Sequence, residues 1–244
     1  FFDAEKCIIY TDVEGVFTTD PNLTKAAKKI NKISYEEMLE MASLGSKVMQ
    51  PASIQEARLN RIEVDVRSTF SKKLGTTITK KKNIINKNTI RGISFTKNDA
   101  KITLIGVKDK PGVAASIFKP LYENSINVDM VVQNISANSR ETDLTFTIKL
   151  EDLIKTKKLL QNNKLIKFKN LIVNKNVSKV SIVGVGMITT PGVTYRMFKA
   201  LAKKNINIEV ISTSEIKISV LINKKNLKKS VEILHQEFKL SNNL

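Results

Sequence analysis

The chain has 244 residues, 41% of them hydrophobic, and a formal net charge of +18. That length supports two or three compact units with their own cores, and the sequence has no run of 18 or more apolar residues to span a membrane. The single cysteine, Cys7, excludes an internal disulfide and suits a reducing cytosol, so a cytoplasmic location without a membrane partner is expected. The positive charge raises nucleic-acid binding. Yet of the 41 basic residues only Arg58, Arg61, Arg67, Arg91, Arg140 and Arg196 are arginine, the better base reader. The lysines are spread among many Asn and Ile residues, as on solvated faces, and no nucleic-acid partner is expected. The opening Phe1-Phe2-Asp3 has neither Met nor a basic n-region, so the chain is expected to enter partway through a longer protein.

Residues 6–10 read as a short apolar strand with Cys7 in the core, ending at the polar turn Thr11-Asp12-Val13-Glu14-Gly15. Asp20-Pro21-Asn22 is a second turn signal. Ser34-Tyr35-Glu36-Glu37 has capping-box spacing, and Met38, Met41, Ala42 and Leu44 continue a helical stripe that Gly45 can end. Pro51 suits the first turn of a helix over residues 51–59, and residues 62–67 alternate like a strand. The series predicts an α/β unit. Residues 71–88 are polar and basic, including Lys80-Lys81-Lys82, and read as a linker, with residues 75–78 left open to the first unit.

Two copies of one module follow. Lys101 and Lys179 open them; Gly106-Val107 answers Gly184-Val185, and Pro111-Gly112-Val113 answers Pro191-Gly192-Val193. Phe118, Leu121 and Ile126-Asn127 answer Phe198, Leu201 and Ile206-Asn207. The first copy reads as strand 101–107, helix 113–124, strand 127–135, a turn at 137–141, strand 143–150, helix 153–162 and strand 168–173, which is the ferredoxin-like β-α-β-β-α-β order. The second reads as strand 179–185, helix 193–204, strands 207–212 and 217–222, and helix 227–238, one strand short. An open slot would expose a sheet edge. The spare strand 89–95, "TIRGISF", is therefore expected to complete the second sheet, which places the first copy inside the second. The domains expected are 1–79, a linker 80–88, 96–175, and 89–95 joined to 176–244.

The Pro-Gly turn before each first helix has a chemical use, because backbone N–H groups at a helix N-terminus hold a carboxylate. Asp109 beside the turn can hold an amino group, and Asn127, Asp129 and Gln133 follow on the next strand, so the set could grip a free amino acid by both ends. On spacing alone a plain turn is the better reading. Ser212-Thr213-Ser214-Glu215 suits a hairpin and a ligand contact equally. Thr11-Asp12 ends a strand, where open α/β sheets bind ligands, and Lys47 could reach a phosphate as a point charge. A plain turn and a solvated lysine are the competing readings. His235, the single histidine, is expected on the surface or half packed.

"YTDVEGVFTTDP" (10–21), "KISYEEMLEMASLGSKVMQPASIQEA" (32–57), "DKPGVAA" (109–115), "INVDMVVQN" (126–134) and "NINIEVISTSEIKISVLI" (205–222) together resemble bacterial aspartate kinases of the monofunctional type. The resemblance implies an α/β chain: the C-terminal part of an amino-acid-kinase fold, then two ferredoxin-like ACT domains, the first inserted within the second. It implies phosphorylation of the L-aspartate side-chain carboxylate with MgATP as substrate and no tightly bound cofactor. It also implies feedback by lysine, threonine or both at the ACT domains, and a homodimer or higher oligomer formed through them. Thr11, Asp12, Phe17, Asn22 and Lys47 fall on nucleotide-contacting positions. The family commonly has Tyr and Arg where this chain has Phe17 and Asn22, so that hydroxyl and guanidinium are absent. Effector positions are Asp109, Lys110, Pro111, Gly112, Val113, Ala114, Asn127, Val128, Asp129 and Gln133 in the first copy. In the second they are Val193, Thr194, Asn207, Ile208, Ser214 and Glu215. The family's N-terminal Lys-Phe-Gly-Gly-type motif is not in this sequence, so no confident catalytic residue is named and the chain alone is expected to be inactive. A non-catalytic, amino-acid-sensing regulatory subunit is the alternative.

Overall fold

The computed structural model describes residues 4–80, 89–135, 141–163 and 166–242. Most of the expected linker, and all of the turn at 137–141 except Glu141, lie outside them. No helix among the described residues is long and apolar enough to cross a membrane.

The N-terminal unit is a four-stranded sheet with two helices. Its elements are β1 (Lys6–Thr11), β2 (Lys32–Ser34), α1 (Tyr35–Ser43), α2 (Pro51–Leu59), β3 (Glu63–Ser68) and β4 (Thr76–Thr79). The order is β1-β3-β4-β2, with β1 parallel to β3, β3 antiparallel to β4 and β2 parallel to β4. Thus the stretch around residue 76 belongs to this unit and not to the linker. The capping box forms as its spacing predicts: Ser34 Oγ accepts from Glu37 N at 3.2 Å, and the Glu37 carboxylate accepts from Ser34 N at 3.3 Å. Met38, Met41 and Leu44 then face one core with Ile33, Ile54, Val64, Val66 and Ile78. Gly45 has φ +110°, and a Cβ there would lie 2.3 Å from Phe95 O, so the chain leaves α1 pressed against the next unit. Cys7 is exposed, contrary to expectation. Among the described residues β1 pairs only with β3, and its outward side chains, Ile8 and Tyr10 included, meet solvent.

The repeats share one six-stranded sheet, ordered β6-β7-β5-β8-β10-β9. It is built from β5 (Gly92–Lys108), α3 (Val113–Glu123), β6 (Val128–Ile135), β7 (Glu141–Lys149), α4 (Leu153–Asn162), β8 (Asn170–Val183), α5 (Val193–Ala202), β9 (Ile208–Thr213), β10 (Lys217–Asn223) and α6 (Leu227–Glu237). The spare strand does cross over: Ile93 pairs with Ile182 and Phe95 with Val180, in the second repeat. It is not a separate strand, however. It runs on into the first repeat's opening strand, where Ile102 pairs with both Val173 and Phe146. The expected strands 168–173 and 179–185 likewise fuse into β8. The polar pairs Lys97-Asn98 and Lys175-Asn176 look like breaks, but the ladder passes them through register shifts next to Thr96 and Asp99.

Each repeat keeps its own core, Ile102, Leu104, Ile117, Leu121 and Phe146 in the first and Ile182, Met197, Leu201, Val220 and Leu234 in the second. The two sheet edges, β6 and β9, meet over Met130, Val177, Val210 and Leu221. Here the repeats exchange charges reciprocally. Lys101 of the first binds Glu209 of the second at 2.6 Å, and Lys179 of the second binds Asp129 of the first. Lys101 corresponds to Lys179 and Asp129 to Glu209, so one contact is made twice about an approximate two-fold axis.

The second repeat is also joined to the N-terminal unit. His235 is 1% exposed rather than a surface residue, because the segment carrying Thr18 covers that side of α6. Its Nε2 lies 2.9 Å from Thr18 Oγ1, and Ile93 N donates to Thr18 O at 2.7 Å. Burial pushes the imidazole below its ordinary 6.5. The unfolded chain therefore takes up a proton near pH 6.5 that the folded chain resists. Stability is expected to be complete above that pH and to fall as pH drops below it. Thermal midpoints from pH 7.5 to 5.5 should show this slope, and His235→Gln should flatten it. A Cβ on Gly184 would lie 2.3 Å from Thr89 O. Gly184→Ala should thus lower the urea-unfolding free energy by about 1–3 kcal/mol through overpacking.

Candidate functional site

The first repeat carries a cavity of about 460 Å³ where β5 turns into α3. Pro111 and Gly112 shape that turn. Gly112 sits at φ +86°, and a Cβ added there would meet nothing within 4 Å, so glycine is needed for its backbone angle and not for space. No side chain caps α3; Val113 N donates to Lys110 O at 3.3 Å, and the N–H groups of Ala114 and Ala115 in the same turn have no side-chain cap. Asp109, Lys110, Pro111, Gly112, Val113 and Ala114 line the cavity together with Gln133 of β6. Lys108, Thr142 and Leu144 also line it, and sequence reasoning missed them. Period-two alternation on β7 places Thr142 and Leu144 on one face, but nothing local marks that face as facing the turn.

The remaining first-repeat candidates lie elsewhere. Asn127 is exposed just before β6, and Val128 packs against the first core. Asp129 does not line the cavity but meets Lys179. Burial alone would raise its carboxyl, and the Lys179 ammonium together with the Met130 N–H and Lys217 holds it below the usual range.

In the second repeat, Val185–Thr189 forms a 3-10 turn before Gly192 and α5. Val193 is buried in the core, whereas Thr194 is exposed on the first turn of α5. Ser214 and Glu215 sit in the β9–β10 hairpin, with Ser214 N donating to Lys217 O at 2.9 Å. That hairpin adjoins the turn, because Gly184 N donates to Ile216 O at 2.9 Å. Asn207 is exposed before β9, and Ile208 packs against the core.

Thr11 and Asp12 lie at the C-terminal end of β1, tied to β3 by Thr69 N donating to Thr11 O at 2.8 Å. Thr11 Oγ1 donates to Asp12 Oδ1 at 3.0 Å. Phe17 is half buried in a bridge with Lys29, and Asn22 donates its backbone N–H to Asp20 at 2.8 Å in a local turn. Lys47 is exposed beyond the Gly45 turn, without an ion-pair partner among the described residues. No hydrogen bond or ion pair among the described residues joins Phe17, Asn22 or Lys47 to Thr11 and Asp12. Behind this edge, Asp65 is buried against Lys6 at 2.9 Å, Arg67 at 2.6 Å and Thr77 at 2.7 Å. Burial would raise its pKa, and those partners together hold it below the usual range.

The amino acid kinase family model matches residues 1–68, and an ACT domain model matches residues 102–163 and again 180–238. An aspartokinase of Pseudomonas aeruginosa is 45% identical over 240 residues, which cover 97% of this chain and 58% of that protein. Escherichia coli aspartokinase III, solved with aspartate and ADP in the R-state, superposes with a TM-score of 0.81 at 27% identity, covering 96% of this chain and 52% of that one. Solved with lysine and aspartate in the T-state, it gives a TM-score of 0.79. The regulatory subunit of aspartate kinase from Thermus thermophilus is 37% identical with a TM-score of 0.57, covering 62% of this chain and 99% of that subunit. This chain thus spans a little over half the length of the whole enzymes it matches. Part of an amino-acid-kinase unit, followed by interlocked ACT repeats, places the chain in the aspartate kinase family.

Proposed function

We propose that the chain supplies the feedback sensor and one flank of the nucleotide site of an enzyme that phosphorylates the side-chain carboxylate of L-aspartate with MgATP. The observation that carries the sensor reading is the cavity at the β5–α3 turn, which offers both signs of charge to a free amino acid. Asp109 would take the α-amino group, and the uncapped N–H groups of α3 would take the α-carboxylate. Gln133 and Thr142 remain for the ligand side chain. Lysine and threonine are the proposed effectors, and the lysine-bound form of the Escherichia coli enzyme supports the first. Thr194, Ser214 and Glu215, all exposed, are proposed as the corresponding polar contacts in the second repeat. Asp129 borders the seam between repeats, and Asn127 is exposed two residues before it. Thr11, Asp12 and Lys47 are proposed as nucleotide contacts, with Phe17 and Asn22 beside them as packing and turn residues. Val131 on β6 is half exposed, which favours pairing of two chains across the first repeat.

A second reading is a regulatory subunit without catalysis, favoured by the 99% coverage of the Thermus subunit. An ADP-release assay on the full-length gene product with aspartate and MgATP separates the two. The feedback enzyme turns over and slows with effector, and a regulatory subunit does not turn over.

Thermal unfolding of this chain with each of the twenty amino acids tests the sensor. Lysine or threonine at 100 times its dissociation constant should add about 2.7 kcal/mol. Asp109→Ala should weaken that binding by about tenfold or more through loss of a charged hydrogen bond. If neither ligand raises the midpoint at millimolar concentration, the sensor reading is wrong.

A further inference from the structure

Glu37 does more than cap a helix. Its side chain is 2% exposed, and four donors reach its carboxylate. Oε2 accepts from Ser34 N at 3.3 Å, Ser34 Oγ at 2.9 Å and Arg91 Nε at 3.4 Å. Oε1 accepts from Val185 N at 3.1 Å. Val185 opens the Val185–Thr189 turn of the second repeat, at the position that Val107 occupies beside the cavity of the first. Arg91 lies just before β5, and Arg91 N donates to Val183 O at 2.7 Å. One buried carboxylate therefore joins the start of α1, the approach to the shared strand and the turn of the second repeat.

The other end of α1 is held to the same strand. Ser94 Oγ donates to Met41 O at 3.2 Å, and Gly45 is packed so closely on Phe95 O that no Cβ would fit. Lys47 follows that turn by two residues. A shift of the Val185–Thr189 turn or of β5 must therefore shift α1 as a unit, along with the approach to Lys47.

We propose that Glu37 is a positioning residue through which the second repeat sets α1 and hence Lys47. The transmission to Lys47 rests on the nucleotide and sensor readings above; the link between Glu37 and the turn does not. The chemistry of glutamine separates this role from capping. A capping box accepts Gln at this position as readily as Glu. With its oxygen kept on Ser34, the substituted glutamine would turn its amide N–H toward the Val185 N–H, donor against donor. The variant Glu37→Gln should thus keep the helix and lose the turn.

Hydrogen exchange of the 244-residue chain and its Glu37→Gln variant, read by mass spectrometry, tests this. Without ligand, the variant should exchange about tenfold faster over residues 184–190, while residues 36–43 stay protected. Equal protection of 184–190 in both proteins would reduce Glu37 to a cap and overturn the proposal. With lysine or threonine added at millimolar concentration, the native chain should gain protection both at 184–190 and at 36–47. In the variant the gain at 36–47 should disappear. A gain at 36–47 that survives in the variant overturns transmission through Glu37. If neither ligand changes exchange in the native chain, the sensor reading fails, and the ligand-free comparison still decides the link.

Discussion

Two strands, β5 and β8, lie antiparallel over almost their whole length, and every other element of the repeats is placed by that pairing. Each strand serves both repeats. The N-terminal part of β5 and the C-terminal part of β8 complete the second, and the opposite parts complete the first. Backbone N–H and C=O groups buried in a sheet need partners; the first repeat closes its ladder with its own four strands, whereas the second closes only when residues 92–96 pair with residues 179–183. The insertion of one module within another follows from this need. The Lys101–Glu209 and Lys179–Asp129 pairs then fix how the doubled sheet folds over, with Met130, Val177, Val210 and Leu221 between its edges.

The same constraint divides the work between the repeats. The first holds the cavity at the β5–α3 turn and has the edge strand β6. The second faces the kinase unit through His235 and Thr18, through Glu37 and Val185, and through Lys217 and Glu40 at 3.1 Å. Val183, at the end of β8, is part of the kinase unit's own core. In the proposed function a ligand in the first repeat acts at a distance, and the shared strands are the stiff connection between its cavity and α1. Such a connection can only bias an equilibrium that already exists, by the difference in affinity the ligand has for its two ends.

Much of this arrangement is legible in the sequence because it is periodic or repeated. The duplicated Pro-Gly turns set the two helices α3 and α5, and the missing strand of the second copy points to residues 89–95. Ser34 and Glu37 mark the start of α1 by spacing alone. The continuity of β5 is not legible, since Lys97 and Asn98 are polar and strand ends are usually polar too. Only pairing on both sides keeps them extended. Cys7 and His235 escape sequence reasoning for one reason: burial of a strand or helix face depends on what covers it, and no local pattern reports a partner distant in sequence. The ion-pair partner of Asp129, Lys179, comes from the other repeat, which no pattern around Asp129 reports. Glu37 is legible as a cap, while its second oxygen is spent on Val185, 148 residues away.

One uninterrupted pair of strands carries both repeats. Cross-strand nuclear Overhauser contacts in the labelled chain test it most directly. Contacts are expected between Ile93 and Ile182 and between Thr103 and Ile172 in one protein, along one pair of strands. Contacts from residues 92–96 to β7, or none from them to residues 179–183, would contradict it.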